Sequence, residues 1–136
     1  MALDRERYLG LAQFRYALRR FLAASERLSA EAGVTSPQYQ AMLAIGVAAA
    51  PPTMKDLAEE LLLQPHAAVQ MVDRLQKLGL VQRRASPADG RSVLLALTDR
   101  GEDLVSRLAP QHLHEMLKQE PRLSEALKQL KTDGDR

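Results

Sequence analysis

Apolar residues recur at three- and four-residue spacing along most of this chain, and the rest is organised around the stretch from Gln64 to Leu80. There Ala68, Met71, Val72 and Leu75 lay one stripe along a helix of about four turns. Pro65 suits a first helical position, where its missing N–H costs nothing, and Gly79 suits the left-handed residue just past a helix end. The outward positions are His66, Ala67, Gln70, Asp73, Arg74 and Lys77, a polar face fit for a polyanion. A shorter helix precedes it, capped by Thr53 with Asp56 as the reciprocal partner and burying Leu57, Ala58, Leu61 and Leu62. A short helix, a tight turn and a longer helix with a polar outer face form the helix-turn-helix pattern, whose second helix enters a DNA major groove.

Downstream the period changes to two. Leu80 to Arg84 and Ser92 to Leu97 read as strands, with Val93, Leu95 and Leu97 on one face and a turn-rich loop, Ala85 to Arg91, between them. Upstream, Leu11, Phe14, Leu18, Phe21, Leu22, Ser25 and Leu28 trace a long helix from about Asp4 to Ala32, ended by Gly33. Thr35 and Gln38 form a capping box for the next helix, whose apolar content is Tyr39, Met42, Leu43 and Ile45, and which Ala48 to Pro52 ends. Thr98 caps a helix expected to reach about Lys118, with Leu104, Leu108, His112 and Met116 near one face. Pro110 predicts a kink or break near Ala109. A separate last helix, about Arg122 to Lys131, is expected to bury Leu123, Ala126, Leu127 and Leu130, and Thr132 to Arg136 to fray. The prediction is a mainly α chain with one small hairpin.

The segments LAEELLL, VDRLQKLGLVQRR and SPADGRSVLLALTDRG, in this order and spacing, resemble the MarR-type winged helix-turn-helix regulators. That signature is a leucine-rich first helix, a D-R-L-x-x-x-G-L turn, a wing with D-x-R, and a strand ending L-T before a long helix. VTSPQYQAML resembles the opening of the family's second helix. The resemblance implies a single domain over residues 1–136, with a winged helix-turn-helix lobe at 34–98 and a helical dimerisation region at 1–33 and 99–131. It further implies a homodimer whose terminal helices interlock and whose paired reading helices meet half-sites about 34–36 Å apart on a near-palindromic operator, most often as a repressor.

Composition narrows this only in places. The chain has no cysteine, which removes disulfides, thiolate metal sites and thiol redox sensing and suits a reducing cytoplasm. A net charge of +2 says little about partners, but from Gln64 to Arg91 five basic residues face only two acidic ones. The charged N-terminus has no secretory h-region, and the apolar run Ala41 to Ala50 is about half a membrane span, so a soluble cytoplasmic protein without a membrane partner is expected. His112 and His114 project in different directions on a helix, and neither a metal-binding HEXXH spacing nor a glycine-rich phosphate loop is present. No enzyme, metal or cofactor is expected.

Base-edge reading is assigned to Gln64, His66, Gln70 and Arg74, because glutamine pairs with adenine and arginine with guanine in a bidentate way. His66 could equally meet a phosphate or pack its ring. Lys77 adds charge to the same face, and Ala67 offers only a methyl contact, where relatives often carry threonine or serine. The resemblance gives Arg74 a second role, held by the wing aspartate, here Asp89. It also places Arg91, the arginine of D-x-R, in the minor groove, where a guanidinium senses width and potential. Of Arg83 and Arg84, one is expected to face phosphate, because a strand alternates its faces. Gly90 replaces a second arginine usual in relatives, which predicts a weaker or more bendable wing. The family's lipophilic or phenolic effectors imply a pocket for which Phe14, Tyr16, Leu18, Phe21, Tyr39, Met42 and His112 are candidates, although core packing accounts for most of them. The competing function is a protein-docking winged helix without specific DNA binding, which should expose apolar residues where this chain has Gln70, Arg74, Lys77 and Arg91.

Overall fold

The computed structural model describes residues 2–131, so the expected fraying of residues 132–136 lies outside the described residues. The elements are α1 (Arg5–Glu31), α2 (Ser36–Val47), α3 (Met54–Leu61), α4 (Pro65–Lys77), β1 (Val81–Ala85), β2 (Val93–Leu97) and α5 (Asp99–Leu130). Most boundaries follow from local chemistry. Asp4, Thr35, Thr53 and Thr98 accept from the backbone N–H three residues on, and Thr35 with Gln38 and Thr53 with Asp56 complete reciprocal boxes. Gly33 and Gly79 take the left-handed conformation just beyond α1 and α4, at φ 86° and 75°.

β1 and β2 pair antiparallel, Val81 opposite Leu97 and Ala85 opposite Val93. Both strands begin one residue later than the hydrophobic pattern suggested, and Ala85 belongs to the ladder, because it is paired through to the hairpin. Thr53 bridges Leu94, and the Leu95 N–H donates to the Pro52 carbonyl at 2.8 Å, so the segment before α3 lies along the sheet edge. The lobe core gathers Tyr39, Met42, Ile45, Leu57, Val72, Leu75, Leu80, Val81 and Leu95 under α4, with Leu104 and Leu108 from the first turns of α5.

Four expectations need correction. Leu62 is not buried: it caps α3 in the left-handed conformation, φ 56°, which turns its side chain outward to 92 % exposure. The C-terminal region is one helix of 32 residues, unbroken at Pro110 or Pro121. Both prolines are exposed and stand eleven residues, about three turns, apart on one face, so the carbonyls they leave unpaired are open to water. The opposite face of α5 meanwhile packs along α1, the most extensive contact in the molecule, and this continuous packing outweighs a lost hydrogen bond at each proline.

On α5, Met116 and Leu127 are exposed, whereas Ala126 is fully buried and Leu123 and Leu130 half-buried. On α1 the expected stripe divides. Phe14, Phe21, Ser25 and Leu28 face inward beside the small residues Gly10, Ala17, Ala24 and Ser29, while Leu11, Leu18 and Leu22 face outward. The helices approach so closely that a Cβ on Gly10 would lie 3.0 Å from the Ala126 carbonyl oxygen, and small residues therefore fill the part of the contact that Leu11, Leu18 and Leu22 were expected to fill.

Candidate nucleic-acid interface

α3 and α4 join through Leu62 to Gln64, and α4 presses Ala68, Val72 and Leu75, each fully buried, into the lobe. That contact fixes the rotation of α4 about its axis. Gln64, His66, Gln70, Asp73, Arg74 and Lys77 are left in solvent, with Ala67 half-buried at the edge. Gln64 occupies the N-cap position but makes no side-chain cap bond, so its amide stays available to a ligand. Arg74 and Lys77 lie in the last turn, where their charge also complements the helix dipole.

The two adjacent arginines of β1 point to opposite sides. Arg83 reaches back to α4, its Nη2 2.7 Å from Asp73 Oδ1 and its Nη1 donating to Gln76 Oε1. Arg84 lines a groove of about 490 Å³ between the end of α2, the hairpin and α5, with Leu43, Val47, Leu97 and Glu102 among its neighbours. Alternation along the strand therefore holds. Arg83 is already paired within the protein, however, and Arg84 opens away from α4.

The wing is built around Asp89. Its carboxylate accepts from the backbone N–H of Arg91 at 2.9 Å and from the backbone N–H and hydroxyl of Ser92, both at 3.0 Å. Those bonds, Ser92's backbone N–H first, hold the Asp89 carboxyl below the usual carboxylate range. The Ser86 N–H donates to the Ser92 carbonyl, and Gly90, at φ 68°, donates to the Ser86 carbonyl, both at 2.8 Å. The backbone conformation thus favours a glycine at this position, whatever it subtracts in charge. The Arg91 side chain stands exposed at the wing tip. The expected pairing of Arg74 with Asp89 does not form: Asp89 is committed to its own loop, and among the described residues Arg74 makes no ion pair.

The candidate pocket residues separate. Phe21, Tyr39 and His112 converge at the junction of α1, α2 and α5, where the Tyr39 ring stacks on His112 with centroids 4.1 Å apart and Phe21 meets it edge-on at 6.4 Å. Burial there pushes the Tyr39 phenol above its ordinary value. Met42 is fully buried in the lobe core, Phe14 is half-buried on α1, Leu18 is exposed, and Tyr16 lies beneath the Arg122 guanidinium at 4.8 Å. The seven do not line one cavity: the three at the junction fill it with their own rings. Sequence reasoning missed Ser25 and Ser36, which hydrogen-bond into this junction, and Gln76, which helps hold Arg83. Ser25 and His112 are 87 residues apart, and no local pattern marks such a pair. No group of three or more His, Cys, Asp or Glu side chains suited to a metal ion occurs among the described residues.

A profile of the MarR family matches residues 32–92. The HTH-type transcriptional regulator YhbI of Bacillus subtilis (strain 168) is 38 % identical over 79 residues, covering 58 % of this chain and 51 % of its own length. The chain spans between about half and two thirds of the length of the curated relatives it matches. Among solved structures, the PcaV transcriptional regulator from Streptomyces coelicolor is 30 % identical, with a TM-score of 0.58 over 74 % of this chain and 75 % of that one. AbsC, a MarR family transcriptional regulator also from Streptomyces coelicolor, superposes with a TM-score of 0.75 over 88 % of this chain and 81 % of its own, and at 18 % identity is a likeness of fold.

Proposed function

The chain belongs to the MarR family, and on that premise we propose that it is a sequence-specific DNA-binding transcriptional regulator, acting as a homodimeric repressor on a near-palindromic operator. The observation that carries this reading is the outer face of α4, where Gln70, Arg74 and Lys77 stand exposed, together with the exposed Arg91 at the wing tip. Amide and guanidinium groups on a helix of 13 residues match the donor and acceptor edges of a major groove. A cation on a hairpin beside it suits the phosphates or the narrow groove next door. A surface made to dock protein would have presented apolar side chains there.

The dimer is supported by the outer sides of α1 and α5, where Leu11, Leu18, Leu22, Leu113, Met116, Leu117 and Leu127 are all at least two-fifths exposed. Pairing of these faces between two copies would remove them from water and set two α4 helices side by side. Response to a lipophilic or phenolic effector is the finer part of the proposal and rests on family likeness. Such a ligand would have to displace Phe21, Tyr39 or His112 from the packing they make with one another. No described helix is long and apolar enough to cross a membrane, in keeping with a site of action in the cytoplasm.

The test is a titration of the purified protein against the DNA upstream of its own coding region, at two salt concentrations and with random competitor duplex. Saturable, salt-dependent binding of two chains per site is expected. Equal affinity for the upstream and random duplexes would sink the reading.

A further inference from the structure

Three helices are joined atom to atom at one point in the molecule. Ser36 Oγ lies 2.9 Å from Ser25 Oγ, Ser25 Oγ lies 2.8 Å from His112 Nε2, and His112 Nδ1 lies 3.0 Å from the Leu108 carbonyl oxygen. The directions of these bonds follow from the last of them. A carbonyl oxygen only accepts, so Nδ1 carries the ring hydrogen, and in a neutral imidazole Nε2 is then the acceptor. Ser25 must donate to Nε2. With its single hydrogen committed, Ser25 accepts in turn from Ser36. The chain of donors runs from half-buried Ser36 inward to the Leu108 carbonyl, through Ser25 at 4 % and His112 at 6 % exposure.

The ring is held in its other dimension too, between the stacked Tyr39 of α2, at an interplanar angle of 18°, and the edge of Phe21 of α1, at 74°. Ser25 and Phe21 belong to α1 and His112 to α5, the two helices that pack along each other as a stem. Ser36 and Tyr39 belong to α2, which packs against α3, α4 and β2 of the lobe that carries the reading helix and also against α1 and α5, and so is the element through which lobe and stem meet. Apolar contacts between stem and lobe tolerate small slides, because dispersion is not directional. A buried relay with one allowed set of directions does not, because each slide leaves a polar atom unpaired.

We infer that His112 is a positioning residue that sets the angle of the DNA-reading lobe on the stem, through Ser25 and Ser36 and the Tyr39 stack. The consequence for DNA rests on the proposed function, since in a dimer this angle sets the separation of the two α4 helices. The orientation itself does not depend on that reading.

The chain has no cysteine, so spin labels can be placed at Gln13→Cys on α1 and Glu60→Cys on α3 in the full-length protein, diluted with unlabelled chain so that only distances within one chain are read. The wild type should give one narrow distance. Ser25→Ala and His112→Phe should each broaden or shift it, and the double variant should be no worse than the worse single one, because the relay is already broken. Loss of packing volume alone would instead add the two effects. Should Ser25→Ala fail to fold, Ser36→Ala cuts the same relay at its half-buried end. Long-range nitrogen–proton NMR should find the His112 ring protonated at Nδ1. A specific duplex selected by the wild type should bind Ser25→Ala roughly tenfold more weakly, as when the competent orientation falls to about a tenth of the population, with random duplex bound as before. An Nε2-protonated ring or an unchanged distance distribution in the variants would overturn the inference, and altered distances with unchanged specific binding would overturn its consequence for DNA. If the wild type selects no duplex at all, the proposed function fails, and the distances and the tautomer still decide the relay.

Discussion

Arg83 Nη2 lies 2.7 Å from Asp73 Oδ1, with the two side chains 29 % and 51 % exposed, so the strand that opens the wing is braced against the outer face of α4. An exposed pair of this kind contributes little to stability, on the order of 0–1 kcal/mol, and its consequence lies elsewhere. A guanidinium already matched by a carboxylate releases few counterions when DNA arrives, whereas among the described residues the Arg91 guanidinium has no carboxylate partner. Arg91→Ala should therefore lower the slope of log affinity against log salt by about 0.9, and Arg83→Ala should weaken binding while leaving that slope nearly unchanged. Equal slope changes in the two variants would show that Asp73 does not neutralise Arg83 in the complex.

Gln70 is exposed at the middle of α4 and makes no hydrogen bond to the protein among those of the described residues. Gln70→Ala should cost about 1–3 kcal/mol of discrimination between the selected duplex and one changed at a single base pair, with little effect on random DNA. Competition binding measures this directly, and an equal loss on both duplexes would contradict base reading.

Gly101, in the first turn of α5, faces the chain where α4 gives way to β1. A Cβ there would stand 2.1 Å from the Leu80 carbonyl oxygen, the same oxygen that accepts from the Thr98 N–H at 3.1 Å. Glycine to alanine within a helix ordinarily gains about 1 kcal/mol. Here the sign should reverse, with Gly101→Ala destabilising by about 2 kcal/mol or more as α5 is pushed off the lobe. Denaturant unfolding would read the change, and a variant as stable as the wild type would mean that this junction is not tightly packed.

The Asp89 carboxyl is held below its usual range by hydrogen bonds from the backbone N–H groups of Ser92 and Arg91 and from the Ser92 hydroxyl. Because its folded value is depressed, its contribution to wing order is fully present above the ordinary carboxylate value and is lost as pH falls through the lowered one. The Arg91 and Ser92 amide resonances should accordingly report wing loosening only in the acid range. Asp89→Asn should loosen the wing at neutral pH, and an Asp89→Asn wing as ordered as the wild type would show that the carboxylate charge is not what holds the loop.

What the sequence determined by itself was local. Helix starts at Asp4, Thr35, Thr53 and Thr98, the glycine stops at 33 and 79, and the buried stripe of α4 depend on neighbours within four residues, and a chain read in order displays them. The outer face of α4 followed as the remainder of its stripe. Tertiary structure decided whatever joined distant segments. The α1–α5 contact carried α5 through two prolines that locally favour a break, and set glycine, alanine and serine on the inner face of α1 beside Phe14, Phe21 and Leu28 while Leu11, Leu18 and Leu22 turned outward. The fold also chose between two adjacent arginines, pairing Arg83 with Asp73 and turning Arg84 toward α5. It placed Ser25 against His112 across 87 residues. Propensity and periodicity act over a helical turn, whereas the pairing of a polar side chain depends on which surfaces meet, and that is settled only once the helices have packed.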